Sequence, residues 1–181
     1  RGYEICDGKY NLKGLPAVYA AEEEAQTLII YMKDQVTGLQ VELLYGVLPE
    51  YDVITRSAKV INTEEDKIRL TKAQAACIDF LHGEFDVISF YGRHAMERNM
   101  QRTSVGHGAF VIGSRRGTSS HQYNPMLILA EKETTEDAGT CYGMSFVYSG
   151  GFKAEVEKDQ FGQTRMQMGL QEEQFSYPYN P

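Results

Sequence analysis

Between residues 152 and 170 the chain alternates strictly. Phe152, Ala154 and Val156 fall on one side of an extended backbone, and Lys153, Glu155 and Glu157 fall on the other. After the turn Asp159-Gln160-Phe161-Gly162, the residues Thr164, Met166, Met168 and Leu170 alternate with Gln163, Arg165 and Gln167. A period of two is the period of a strand with one buried face, and a slip of one residue would turn every apolar side chain to water. The segment is therefore predicted to be a hairpin. A second one is read in Thr27–Lys33 and Leu39–Leu43, joined through Asp34-Gln35-Val36-Thr37-Gly38, with Gly38 supplying the permissive backbone.

Other strands follow at short intervals. Tyr51–Ile61, Lys67–Leu70, Phe85–Tyr91 and Met126–Ala130 are apolar runs bounded by turn-forming residues such as Asn62-Thr63-Glu64-Glu65-Asp66, a spacing suited to a β-sandwich. Thr71–Leu81 and Arg93–Arg102 carry some helical character. The first has the helix formers Lys72-Ala73-Gln74-Ala75-Ala76, but it stands between strand-like runs, so a strand packed against a small-residue neighbour is equally compatible. Gly106–Pro125 is rich in Gly and polar residues and reads as one long loop, a kind of segment that is usually functional or pinned by specific hydrogen bonds. No βαβ alternation, heptad or internal repeat is present. The expected fold class is all-β, and residues 1–181 are expected to form a single domain.

Charge and cysteine usage narrow the setting. A net charge of −7 argues against a surface that tracks phosphates, so nucleic acid is not an expected partner. The apolar runs are too short and interrupted to span a bilayer, and a membrane is not expected either. Cys6, Cys77 and Cys141 are odd in number and irregularly spaced, without C-x-x-C or an N-x-S/T sequon, which fits a reducing, cytoplasmic location. The sequence opens on Arg1-Gly2-Tyr3 and closes on Tyr177-Pro178-Tyr179-Asn180-Pro181, and it is expected to be a piece of a longer protein.

Motifs for self-contained chemistry are missing. His82, His94, His107 and His121 form no H-x-H or H-x-x-x-H, so no metal is expected. Ser114, Ser119 and Ser120 lie near glycines and histidines, but Gly113-Ser114-Arg115-Arg116-Gly117 is not a G-x-S-x-G elbow. The same block lacks the Gly-Lys-Ser/Thr of a phosphate loop, and no cofactor is expected. Asp7, Asp52, Asp79, Asp86, Asp137 and Asp159 stand in no recognisable pairing of acid and nucleophile. The polar candidates for contacting a substrate are Arg93, Glu97, Arg98, Arg115, Arg116, His121 and Asn124. Each has a structural reading beside the functional one: arginines bonding neighbouring carbonyls and carboxylates, or ion pairs on a sheet edge.

Several longer runs carry a resemblance. Tyr51-Asp52-Val53-Ile54-Thr55-Arg56, Asp79-Phe80, Gly92-Arg93 with Glu97-Arg98, the block Gly113-Ser114-Arg115-Arg116-Gly117-Thr118-Ser119-Ser120-His121-Gln122-Tyr123-Asn124-Pro125, Val147-Tyr148-Ser149-Gly150, and Gln163 to Leu170 resemble the amino-terminal β-domain of α-galactosidases of glycoside hydrolase family 36. His94 departs from the pattern, because relatives often carry Trp there.

The resemblance implies a β-supersandwich similar to the galactose mutarotase-like fold, here incomplete at its N-terminal end. It also implies a parent enzyme with a (β/α)₈ barrel and a small β-domain. That family releases terminal α-linked galactose with retention, using two aspartates of the barrel, so no catalytic residue is expected in this chain. Its expected role is to support the barrel and the assembly of a homo-oligomer. A different class, a stand-alone carbohydrate-binding module, is the alternative: 12 Tyr and 8 Phe could supply stacking faces, although aromatics at strand spacing usually belong to a core. A mutarotase-like epimerase fits less well, since no His–Glu acid/base pair can be placed.

Overall fold

A computed structural model describes residues 2–14, 18–173 and 175–179. Every strand ladder in it is antiparallel, and the fold is all-β, with two short 3₁₀ turns at Glu22–Glu24 and Pro49–Tyr51. The chain divides into two compact units, Arg1–Thr71 with Ser176–Pro181, and Lys72–Phe175.

The first unit holds a meander of β1 (Gly2–Asp7), β2 (Gln26–Lys33), β3 (Gln40–Leu48) and β4 (Val53–Ile61), in that order across the sheet. The turn from β2 to β3 is closed by Asp34, whose carboxylate accepts hydrogen bonds from the Val36 and Thr37 amides and the Thr37 hydroxyl. Gly38 has φ 71°, the left-handed conformation that glycine adopts at no steric cost. On one face Thr27 joins two segments: its Oγ1 donates to the Gly8 carbonyl at 2.8 Å and accepts the Tyr10 amide at 2.9 Å. A short ribbon of β5 (Ile68–Leu70) and the last strand, β14 (Tyr177–Tyr179), completes the unit. The Tyr179 hydroxyl donates to the Val60 carbonyl at 2.7 Å.

In the second unit one sheet runs β12 (Phe152–Lys158), β13 (Thr164–Leu170), β6 (Gln74–Phe80). The other runs β11 (Cys141–Ser145), β10 (Tyr123–Glu131), β7 (Phe85–Arg93), β8 (Met96–Ser104). The hairpin read from the alternation at 152–170 is β12 and β13, paired from Phe152↔Leu170 to Lys158↔Thr164. Phe152, Ala154, Val156, Met166 and Met168 are buried on its inner face. They meet Phe85 and Val87 of β7, Leu127 and Leu129 of β10 and Met144 of β11 in one apolar cluster. Each large side chain there contributes about 1.5–3 kcal/mol relative to exposure.

Two segments that left helix and strand open are strands. Thr71–Leu81 contains β6, whose small-residue neighbour is Gly169: a Cβ there would stand 2.4 Å from the Ala73 carbonyl oxygen. Arg93–Arg102 lies mostly in β8. A third expectation is corrected. Gly106–Pro125 is not one long loop, because Gly108–Gly113 forms β9 and β10 already begins at Tyr123. β9 runs beside β12, tied by the Ser114 amide to the Phe152 carbonyl at 2.9 Å and by a bridge from His107 to Lys158. Ile112 of β9 enters the core, whereas Val111 is exposed. Glycines on both flanks conceal this short alternation in the sequence.

Candidate functional site

What remains of the Gly-rich block is the turn between β9 and β10, and it is tightly built. Ser114 Oγ donates to the Thr118 carbonyl at 2.6 Å and accepts the Arg116 amide at 3.4 Å. The Ser119 amide and the Thr118 hydroxyl both donate to the Ser149 carbonyl, at 2.8 and 3.0 Å. Gly117, with φ 76°, lets the chain reverse between them. Beneath the turn Gly113 and Gly151 allow close backbone approach: a Cβ would lie 2.5 Å from the Phe152 carbonyl oxygen at the first and 3.0 Å from that of Ser114 at the second. Side chains are thereby kept out, and the space is left open.

That space is a groove with two adjoining lobes of ≈ 570 and ≈ 420 Å³, which share Ser114, Arg115, Gln171 and Glu173. Arg116 and Gln122 line the larger lobe and Tyr148 the smaller. Arg115 Nε is paired with Glu173 at 2.5 Å. Lys153 Nζ lies between Glu155 and Glu172 at 2.7 and 2.6 Å, and Lys72 approaches Glu172 at 3.4 Å. The hydrogen bonds that Lys153 donates to Glu155 and Glu172 raise its pKa against the effect of burial, and the bond from Lys153 holds the Glu172 carboxyl below its usual range. Both groups are locked in their charged forms at neutral pH.

The sequence candidates separate into two places. Arg115 and Arg116 belong to the groove, whereas His121 follows in the same turn and Asn124 in β10, and neither lines it. His121 is exposed, and Asn124 Oδ1 is buried without a hydrogen-bond partner among the described residues. Arg93, Glu97 and Arg98 sit at the β7–β8 hairpin instead. There the Arg93 guanidinium donates to Met96 Sδ at 3.2 Å and the Glu97 carboxylate accepts the Ala95 amide at 3.0 Å. Ala95 and Arg98 both have left-handed backbones, φ 61° and 57°, and the ladder shifts register between Tyr91 and Arg93. His82, His94, His107 and His121 are all exposed, and no group of three or more His, Cys, Asp or Glu side chains is poised to hold a metal among the described residues. Gln122, Gln171, Glu173 and Tyr148 complete the groove without having stood out as site residues. Glu173 reaches Arg115 only because the β12–β13 hairpin brings residue 171 beside residue 151, joined by the Gln171 amide and the Gly151 carbonyl at 3.1 Å.

Of the candidate acids, two are visibly committed to cations. Asp79 forms a two-point pair with Arg165, at 2.7 and 3.0 Å, and that hydrogen bonding lowers its pKa. Asp86 accepts from Arg102 at 2.8 Å, Lys132 at 2.5 Å and Ser104 at 3.0 Å. Asp159 and Asp34 are turn acceptors for backbone amides.

Known proteins share this architecture. The family model described as "Glycosyl hydrolase family 36 N-terminal domain" matches residues 1–179. The bifunctional alpha-galactosidase/sucrose kinase AgaSK of Mediterraneibacter gnavus is 64% identical over 178 residues, which cover 98% of this chain and 19% of that protein. Alpha-galactosidase Mel36A of Lactobacillus acidophilus is 43% identical over 182 residues, 100% of this chain and 25% of that protein. Among solved structures, the GH36 alpha-galactosidase AgaA from Geobacillus stearothermophilus superposes with a TM-score of 0.97 at 40% identity, covering 100% of this chain and 25% of that one. The galactosidase domain of AgaSK gives 0.96 at 63% identity, covering 99% and 25%. The chain thus spans a quarter or less of the relatives it matches.

Proposed function

The chain belongs to glycosyl hydrolase family 36, whose N-terminal domain it forms, and from that premise we propose that it is the non-catalytic β-domain of an α-galactosidase. Its parent would hydrolyse terminal α-linked galactosides with retention, through carboxylates carried by a barrel outside these residues. The observation that carries this reading is one of proportion. Almost the whole chain superposes on family members named alpha-galactosidases, yet it accounts for only 19–25% of their length. The engagement of Asp79 and Asp86 with arginines and a lysine supports it, because a retaining pair needs two carboxyl groups about 5–5.5 Å apart and open to a sugar.

In the parent the domain supports the barrel and takes part in a homo-oligomer, and the protein works in the cytoplasm. The three free cysteines accord with a reducing compartment. The test compares the intact gene product with the 181-residue chain on an aryl α-galactoside. Turnover is expected from the intact protein and none from the chain; clear hydrolysis by the chain overturns the proposal. Light scattering on the intact protein tests the assembly, and a monomer at micromolar concentration counts against it.

A further inference from the structure

We propose that the two-lobed groove beside the Ser114–Gln122 turn is a second, non-catalytic binding site for a neutral oligosaccharide. That the sugar carries α-linked galactose rests on the reading above; that it is a neutral polyol rests on the groove itself. Most of its fixed charges are already compensated. Arg115 is paired with Glu173, and Lys153 with Glu155 and Glu172; Arg116 is the cation left without an ion pair among the described residues, in a lobe shared with Glu172 and Glu173, whose carboxylates count against an anionic ligand. What is left over is hydrogen-bonding capacity. The side chains of Arg116 and Gln122 make no hydrogen bond or ion pair among the described residues, although both line the larger lobe. A guanidinium and a primary amide are planar and offer two-point bonding, which matches adjacent sugar hydroxyls.

The smaller lobe supplies the apolar counterpart. Tyr148 is 44% exposed, but its ring is fixed. It meets Phe146 edge-on at 5.7 Å between centroids and covers Gly150, where a Cβ would fall 2.2 Å from the ring. A fixed, half-open tyrosine is a platform for the C–H face of a pyranose, with its hydroxyl available to the rim. The lobes together are within the roughly 300–1,000 Å³ of small-molecule sites, and one aromatic lobe continuous with one polar lobe fits two or more linked sugars better than one. The bonds from Ser114, Thr118 and Ser119 hold the turn in place before any ligand arrives, which lowers the ordering cost of binding.

The experiment is calorimetry on the intact parent protein, with its catalytic site saturated by a tight galactose mimic and raffinose as the titrant. Millimolar or tighter binding is expected. Arg116→Ala with Gln122→Ala should weaken it by about tenfold or more, and Tyr148→Ala likewise, since each tenfold corresponds to about 1.4 kcal/mol. Tyr148→Phe should retain most of the affinity, and glucuronate should compete no better than glucose. Arg116 is exposed and its side chain bonds no atom among the described residues, so its variant keeps the wild-type melting curve. In the 181-residue chain, raffinose should shift the amide resonances of residues 114–122 and 171–173. No heat with the catalytic site blocked, unchanged affinity in the variants, or shifts confined to other residues overturns the proposal. Failure of the α-galactosidase reading would register separately, as absent hydrolysis by an intact protein whose groove still binds.

Discussion

Replacing Asp86 by Ala removes the common acceptor of three donors. The carboxylate is 13% exposed and receives Arg102 and Ser104 from β8 and Lys132 from just beyond β10. Arg102 also donates to the carbonyls of Glu131, Lys132 and Thr134, so its charge stays in place when the carboxylate is lost. Hydrogen bonds to charged groups contribute about 1.5–3 kcal/mol each, but the two cations are about one-third exposed and recover water, so the net loss should be near 2 kcal/mol. For a chain of this size that lowers the melting midpoint by about 4–8 °C at neutral pH.

The same carboxylate should make the loss depend on pH. Burial pushes its pKa up, and the bonds from Lys132, Arg102 and Ser104 outweigh burial and hold it below the ordinary value. A group with a depressed folded pKa contributes stability that is present above its unfolded pKa of about 3.9 and disappears as pH falls through the folded value. Urea denaturation at pH 7 and at successively lower pH, on wild type, Asp86→Ala and Asp86→Asn, measures both effects. The deficits should be large at pH 7 and shrink below about pH 4. Equal deficits at every pH, or none at pH 7, would refute the reasoning.

Met166→Ala empties a fully buried site and should cost about 2–5 kcal/mol by chemical denaturation. Gly113→Ala drives a Cβ to 2.5 Å from the Phe152 carbonyl oxygen; it should cost about 1–3 kcal/mol and increase amide exchange at Ser114 more than in β7. Arg98→Gly relieves a left-handed backbone at φ 57°, and the melting midpoint should rise rather than fall, as differential scanning calorimetry would report.

The parts of the fold legible in the sequence are those with one dry face. At β12 and β13 the buried Phe152, Val156, Met166 and Met168 alternate with polar residues, and the period of two is unbroken. β8 gives no such signal. Both its faces are largely exposed, and Met96 and Met100 happen to stand four residues apart, as on a helix. β6 is rich in good helix formers, and tertiary pairing with β13 overrides that preference. β9 hides between glycines, and the close approach of one of them, Gly113, to β12 is visible only in three dimensions. In the groove, Arg115 and Arg116 were readable because they are charged and adjacent. Glu173, Gln122 and Tyr148 were not, because only strand pairing assembles them.

The β7–β8 hairpin has a consequence for assembly. β8 ends the order of its sheet, and such a rim offers free amides and carbonyls to any passing extended chain. Glu97, Arg98, Gln101 and Arg102 place charge and polarity along it, and the left-handed Arg98 interrupts the regular strand geometry near its start. A strand arriving from another molecule would therefore meet a bent, charged template whose register breaks after a few residues. The conformational cost at Arg98 then acts as protection, keeping a sheet-rich chain from polymerising through its own edge.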